Sequence, residues 1–182
     1  MILNNIDNLY IGASEADKLC LGGTVIWNKA EIITFADQNV KAICVANWDT
    51  NNDGELDTVE AAAVTTLDDN FDAADDITSF NELRYFTGLS EIGWAEFDSC
   101  ESLVSITIPE NVTIIGSRAN SFGGCYALTT VTMLPTTPPT IKSDEFGDST
   151  LQHIYVPAGS VSAYQSATNW SQWASIISAI PS

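Results

Sequence analysis

The stretch F-D-S-C-E-S-L-V-S-I-T-I-P, residues 97–109, decides how the second half of this chain folds. It returns as F-G-G-C-Y-A-L-T-T-V-T-M-L-P at residues 122–135 and, one residue shorter before its leucine, as F-G-D-S-T-L-Q-H-I-Y-V-P at residues 146–157. A weaker copy, F-N-E-L-R-Y-F-T-G-L, begins at Phe80. Since the leading phenylalanine recurs at 97, 122 and 146, the sequence predicts similar units that stack their apolar faces on one another.

Each unit contains one apolar alternation of the form L-x-x-I-x-I, which predicts a short strand. Its apolar side chains are expected to point inward, and its serines and threonines outward. The spacing of the units lies within the roughly 20–29 residues of leucine-rich repeats. We therefore expect an α+β fold, a short leucine-rich-repeat solenoid of three or four units. Cys100 and Cys125 hold the same place in adjacent units, so they are expected to be neighbours, either as small buried residues or as a disulfide.

The final segment, V-S-A-Y-Q-S-A-T-N-W-S-Q-W-A-S-I-I-S-A-I, residues 161–180, is rich in aromatic and isoleucine side chains. A solenoid has to close its open end, so the segment predicts a C-terminal helical cap. An exposed aromatic platform for sugars is the alternative interpretation.

Upstream of the repeats, D-T-N-N-D-G-E-L-D-T-V-E at residues 49–60 places oxygen-bearing side chains at alternate positions. The calcium loop of an EF-hand binds through alternate positions, one main-chain carbonyl and a closing bidentate glutamate, and it turns at a central glycine. The residues at those positions are Asp49, Asn51, Asp53, Glu55 through its main-chain carbonyl, Asp57 and Glu60, with Gly54 at the turn. The sequence therefore predicts a Ca²⁺ site, with an empty Asp- and Asn-rich turn as the alternative.

Helical patterns flank this acidic loop at residues 33–48 and 58–67, and Val59, Ala63 and Leu67 are expected to form the buried stripe of the second helix. Calcium sensors expose a methionine-rich groove, whereas this chain has one loop and 2 methionines. A catalytic magnesium ion would need open coordination positions, and here every predicted ligand position is taken. A structural ion is the expected role.

The charge balance restricts the partners of this chain. Its 24 acidic and 6 basic residues give a formal net charge of −18, which repels nucleic acids and anionic membranes. No apolar run approaches the ~20 residues of a membrane-spanning helix. The cysteine spacing and the single histidine, His153, do not fit a zinc finger, and His153 is expected to be a surface or satisfied residue. Without a G-x-S-x-G, phosphate-loop or dinucleotide motif, no enzyme is expected, and a carbohydrate hydrolase is the remote alternative.

Three segments follow from these patterns. Residues 1–30 form a small N-terminal β segment, in which glycines punctuate short strands. Residues 31–76 form an EF-hand-like helix-loop-helix, and residues 77–182 form the solenoid with its cap. The first ten residues lack the basic start and short apolar core of a signal peptide.

The repeats F-x-x-C-x-x-L-x-x-I-x-I-P, the phrase V-K-A-I-C-V-A-N-W-D-T-N-N-D-G-E-L-D-T-V-E-A-A-A-V-T-T-L and the ending I-Y-V-P-A-G-S-V-S-A-Y together resemble the BspA-like leucine-rich-repeat surface proteins. The likeness covers about residues 32–180. It implies adhesion or recognition by a chain that often begins with a dockerin-like or EF-hand-like unit. It supplies no catalytic residue.

The stretch L-Y-I-G-A-S-E-A-D-K-L-C-L-G-G-T-V-I-W, residues 9–27, resembles amino-terminal segments of virion proteins from tailed phages of gut bacteria. A phage protein leaves its host by lysis and needs no signal peptide. The resemblance implies a non-enzymatic virion protein, a capsid decoration or a head or tail fibre, held to other virion proteins through residues 1–30. Its repeats would face a host glycan or protein, and a trimer would suit a fibre. A bacterial cell-surface adhesin fragment is the alternative.

Overall fold

The computed structural model describes residues 9–11, 14–16, 18–21, 24–28, 30–116 and 121–182. It begins with two antiparallel hairpins, which pair β1 (Leu9–Ile11) with β2 (Ser14–Ala16) and β3 (Lys18–Leu21) with β4 (Thr24–Asn28). Short strands therefore lie where the glycine-punctuated pattern predicts them. Residues 1–8, the start of the predicted attachment segment, lie outside the described residues.

A helix-loop-helix follows. α1 (Gln38–Trp48) begins at Asp37, whose side chain accepts hydrogen bonds from the Asn39 and Val40 amides, as an N-cap does. α2 (Thr58–Ala63) begins with a reciprocal capping box between Asp57 and Glu60.

The stripe predicted for the second helix is wrong in two of its three members. α2 ends at Ala63, and it turns Glu60 and Ala61 inward. Val59 is therefore 47% exposed, and Ala63 is exposed as well. Leu67 is buried, but it lies beyond the end of the helix.

The remaining elements are mostly short strands. In chain order they are β5 (Ser79–Phe80), β6 (Glu91–Ile92), β7 (Ser105–Ile108), β8 (Ile114–Ile115), β9 (Thr130–Met133), β10 (His153–Val156), α3 (Val161–Ser166) and β11 (Ile177–Ala179). Five of them form one parallel sheet in the order β11-β10-β9-β7-β5. β6 pairs with β8 in a smaller, two-stranded parallel sheet. Each repeat adds one strand to the larger sheet, as expected of leucine-rich repeats. We call this part of the chain, residues 71–179, the repeat stack.

The core of the repeat stack is a ladder of aromatic rings, one ring from each unit. Successive ring centroids lie 5.4, 5.3, 5.2 and 6.2 Å apart, from Phe71 through Phe97, Phe122 and Phe146 to Trp170. Each ring is at most 2% exposed. Contacts of this length contribute to stability beyond the apolar area that they bury.

The ladder corrects the two ends of the predicted repeat array. Phe80 does not lead the first unit, because it pairs with Ile106 as a strand residue; the leading ring is Phe71. At the other end, β11 pairs in parallel with β10. The predicted C-terminal helical cap is thus a further unit that contains α3 and ends in a strand, so the sheet has five strands rather than three or four.

The alternative interpretation of the final segment, an exposed aromatic platform for sugars, is wrong for Trp170 and Tyr164. Trp170 and Tyr164 are fully buried, and each donates a hydrogen bond to a proline carbonyl, at 2.7 Å to Pro139 and at 2.9 Å to Pro135. Both rings therefore belong to the core. Among the described residues, no helix has the length and apolar character that crossing a membrane requires.

Candidate functional site

The acidic loop is organised by hydrogen bonds from its own amides to its own side chains. Asp49 accepts from the amides of Asn52, at 2.7 Å, and of Gly54, at 2.9 Å. Asn51 accepts from the Asp53 amide at 2.8 Å, and Asp53 accepts from the Glu55 amide at 2.9 Å. Gly54 has a φ of 84°, which a side chain would disfavour. The alternating acidic and amide side chains therefore hold the loop in a tight turn, because they accept hydrogen bonds from its main-chain amides.

Glu60 closes the loop. The residue is 8% exposed, and Oε1 accepts from the Thr50 amide at 2.8 Å, the Thr50 hydroxyl at 2.9 Å and the Asn51 amide at 3.2 Å. Oε2 accepts from the Asp57 amide at 3.1 Å. One side chain thus joins the first residues of the loop to the last, which is the position that the sequence assigns to the bidentate ligand.

The six predicted calcium ligands have the donor atoms that the ion prefers, but the structure does not gather their side chains into a metal-holding group. All six would offer oxygen, the donor that calcium prefers. The Glu55 carboxylate is held 2.7 Å from Lys41 Nζ, while the ligand predicted from this residue is its main-chain carbonyl. Within the described residues, however, no three His, Cys, Asp or Glu side chains converge as a metal-holding group. The Ca²⁺ site stays a prediction.

The two repeat cysteines are stacked and unbonded. Cys100 Sγ donates to the Phe71 carbonyl and Cys125 Sγ donates to the Phe97 carbonyl, both at 3.1 Å. Both are free and buried, and burial raises the pKa of each thiol to about 12. The expected stack of small buried residues is confirmed. The disulfide alternative is wrong, because each thiol instead donates a hydrogen bond to the main-chain carbonyl of the leading phenylalanine in the preceding unit.

The outer face of the parallel sheet is the other candidate site. Its side chains alternate with the buried row, and we call them the sheet face: Ser105, Thr107, Thr130, Thr132, His153, Tyr155 and Ser178. None of the seven carries a carboxylate. The His153 and Tyr155 rings are parallel within 6°, with centroids 5.4 Å apart. His153 is exposed, as expected, while Thr107 is 7% exposed and donates to Asn81.

Sequence reasoning missed three buried acids in the repeat stack: Glu82, which is 6% exposed, and two that hold the same place in different units. Glu96 and Glu145 directly precede the ladder rings Phe97 and Phe146, and they are 5% and 0% exposed. Glu145 Oε1 accepts from the Ser121 amide at 2.6 Å, while Oε2 has no partner among the described residues. Burial raises the pKa of Glu96 and of Glu145 to about 7. The sequence signal that could have revealed these two acids is the Glu-Phe pair, which occurs in both units as Glu96–Phe97 and Glu145–Phe146.

A groove near these sites is shallow, and few acids line it. It measures about 370 Å³ and lies between α1 and residues 73–77. Asp75 and Asp76 are the carboxylates that line it, and they are adjacent in the chain. The hydrolase alternative would need two acids facing each other across a cleft, and this groove does not have that arrangement.

A family model described as the BspA type leucine rich repeat region matches residues 70–174 in 6 copies. The matched range begins just before Phe71 and includes all five ladder rings. It contains more copies than the three or four units predicted from the sequence, and it does not extend to the acidic loop or to the N-terminal hairpins. No curated protein matches the chain.

Proposed function

Because the chain belongs to the BspA-type leucine-rich-repeat family, we propose that its repeat stack, a short solenoid, is a non-enzymatic recognition domain that binds through the sheet face. Repeats of this type suggest a surface adhesion or recognition domain, and they are typical of extracellular or cell-surface proteins. An enzyme would need convergent catalytic groups, and the sheet face offers hydroxyls and two rings instead.

One observation supports a particular class of partner: the sheet face lacks carboxylates in a chain with 24 acidic residues. Hydroxyl groups donate and accept hydrogen bonds without carrying charge, and an aromatic ring with a polar tip combines apolar contact with hydrogen bonding. The four strands that carry these residues, at about 4.8 Å spacing, give a face about 14 Å across. A neutral, hydroxyl-rich glycan on a host surface fits this combination.

A glycan array with neutral and acidic oligosaccharides tests this function. The intact protein is expected to bind neutral glycans. The double change of His153→Ala with Tyr155→Ala is expected to weaken binding about tenfold or more, since central aromatic contacts dominate such interfaces. Tyr126→Ala is the matched control, because Tyr126 is 57% exposed and lies outside the sheet face. A preference for acidic glycans, or full binding by the double variant, would refute the proposal.

The proposed role of the acidic loop is to bind Ca²⁺ through Asp49, Asn51, Asp53, the Glu55 carbonyl, Asp57 and Glu60. Bound calcium would relieve the repulsion among these carboxylates and stiffen the helix-loop-helix that packs on the first repeat. Its expected effect is therefore on stability.

Thermal unfolding in calcium and in chelator tests the role of the loop. Chelation is expected to lower the Tm by several degrees, because a ligand that binds only the folded state stabilises it. Glu60→Gln should melt at a lower temperature that no longer responds to calcium. Glu101→Gln, at an exposed position, is the control and should respond as the original protein does. An equal response to calcium by the Glu60 variant would contradict the assignment.

Two settings suit such a domain. The resemblance of residues 9–27 to phage virion segments favours a virion protein, a capsid decoration or fibre, joined to other virion proteins through residues 1–30. A bacterial cell-surface adhesin is the second candidate, and the family membership favours it equally. The neighbouring genes distinguish the two, because capsid or tail genes on either side are expected for a virion protein and not for an adhesin.

A further inference from the structure

The last strand of the repeat stack has an open edge. β11 is the final strand in the order β11-β10-β9-β7-β5, so no other described strand pairs with its far side. The Ile176 carbonyl and the Ile180 amide bond to β10, at 3.0 and 2.9 Å. Because the main-chain groups of successive residues in a strand point to opposite sides, those of Ile177 and Ala179 face away from β10. Such an edge is a template for a further strand.

The two ends of the sheet differ in what lies against them. At the β5 end, Thr78 donates its amide and its hydroxyl to Asp37, the N-cap of α1, at 2.6 and 2.7 Å. The helix-loop-helix therefore packs against that end. At the β11 end, the Gln165 side-chain amide donates to the Ile177 carbonyl at 3.2 Å, which covers one of the outward groups of the strand. The β11 end is thus the one that can accept a further strand.

The β11 end also exposes apolar surface. Ala179 lies opposite Val156 and so continues the inward row of Ile108, Met133 and Val156, each of which is 0% exposed. Ala179 itself is exposed, and Ile180 beside it is 37% exposed. In a repeat stack each unit covers the one before it. These side chains therefore have the exposure expected of a unit that awaits a neighbour.

Charge indicates which neighbour fits this end. Residues 149–182, which include α3 and β11, contain no Asp, Glu, Lys or Arg, although the chain has 24 acidic residues. A strongly charged partner therefore finds no opposite charge here. Two copies of net charge −18 repel each other, and the repulsion is smallest when their uncharged ends meet, because the energy between charges falls with distance. The distribution of charge thus favours a second copy of the chain.

We infer that the chain forms a two-fold dimer in which β11 pairs antiparallel with β11 of a second copy. With the axis at Ser178, Ile177 of each copy lies opposite Ala179 of the other, and their outward main-chain groups bond across the interface. The Ile177 carbonyl can accept this bond as well as that from Gln165, since it has two lone pairs. Ile176 then lies opposite Ile180 as an apolar cross-strand pair. The two sheets become one sheet of ten strands.

Sedimentation equilibrium of the intact protein over a range of concentrations tests the dimer. A monomer–dimer equilibrium is expected, and it should shift toward dimer between about 0.05 and 0.5 M NaCl, because salt screens the repulsion between copies. Ile180→Glu should weaken association about tenfold or more, since it sets a charge against Ile176 of the other copy. Val104→Glu is the matched control, because Val104 is 45% exposed and directly precedes β7. A monomer at every concentration, or equal association by both variants, would refute the dimer.

Cysteine cross-linking tests the register of the two strands. Ser178 faces its own counterpart across the axis as a non-hydrogen-bonded pair, with Cα atoms about 4.5 Å apart, a separation that a disulfide can span. Ser178→Cys should therefore give a covalent dimer under mild oxidation, seen by non-reducing denaturing electrophoresis. Ser90→Cys, at an exposed position in the first unit, is the control and should stay monomeric. Cross-linking of both variants to the same extent, or of neither, would refute the pairing of β11 with β11.

Discussion

At the scale of single residues, the most unusual feature is an acid in the core of the repeat stack. Glu145 is fully buried beside the ladder ring Phe146, and only one of its oxygens has a partner among the described residues. A buried carboxyl group is disfavoured in its charged form, because burial removes the solvation of the charge. Stability should therefore depend on pH through this residue.

The expected pH dependence follows from the direction of the shift. Burial raises the pKa of Glu145 from 4.5 to about 7 in the folded chain. The folded state then holds its proton more tightly than the unfolded state. No cost arises below pH 4.5, and the cost grows as the pH rises to about 7. Glu145→Gln should therefore raise the free energy of unfolding at pH 8, by about 1–3 kcal/mol, and leave it nearly unchanged at pH 4.

Urea unfolding of the original protein and the Glu145→Gln variant at pH 4 and pH 8 measures this difference. Glu110→Gln, at an exposed position, is the control and should show no such gain. An equal effect of Glu145→Gln at both pH values would contradict the assignment, since hydrogen bonding and packing do not titrate.

At the scale of elements, the helix-loop-helix is held on the first repeat by ring contacts and by one very close backbone approach. Trp48, the last residue of α1, lies 6.2 Å from Phe71 and 5.4 Å from Phe86, measured between ring centroids. Gly88 faces the carbonyls at the end of α2, and a Cβ there would lie 2.6 Å from the Ala62 oxygen and 2.5 Å from the Val64 oxygen. The position therefore requires glycine, because any residue with a Cβ would clash with these carbonyls.

Gly88→Ala should therefore force α2 away from the repeat stack. The expected cost is about 1–3 kcal/mol, typical of overpacking a well-packed contact. Differential scanning calorimetry would record it as a lower Tm. Gly159→Ala is a matched control, because a Cβ at that position meets no atom within 4 Å. An unchanged Tm for Gly88→Ala would show that α2 is not in close contact with this segment.

At the scale of the whole molecule, one continuous aromatic core connects the helix-loop-helix to the last repeat. It runs from Trp48 onto Phe71 and along the ladder to Trp170, which also contacts Trp173 at 6.4 Å. Each unit of the repeat stack touches only its neighbours, so a defect at one end should loosen that end first.

Trp170→Ala should lower the free energy of unfolding by about 3–5 kcal/mol, because it removes the last ladder ring and leaves a cavity. Exchange in β11 should rise before exchange in β7. Trp94→Ala is the matched control, since Trp94 is 55% exposed, and it should change stability little. Urea unfolding and hydrogen exchange measure the two effects. Equal costs for the two tryptophans would contradict the ladder as the source of stability.

Much of this fold could be predicted from the sequence because its signals are local and periodic. The alternation in residues 103–108 and its two echoes predicted strands with a buried row, and the structure has them at Ser105–Ile108, Thr130–Met133 and His153–Val156. The order of acids and amides in residues 49–60 likewise predicted a turn between two helices. These patterns need no knowledge of distant parts of the chain.

What only the tertiary structure decided lies where distant residues determine the outcome. Phe71 rather than Phe80 leads the first unit because it stacks on Phe97, and residues 177–179 form a strand because the edge of β10 offers unpaired hydrogen-bonding groups. Glu145 is buried because its position in the repeat faces the core, although a glutamate side chain is normally found at the surface. By itself the sequence determined the repeating unit and the loop, whereas ring stacking and strand pairing determined where the array begins and ends.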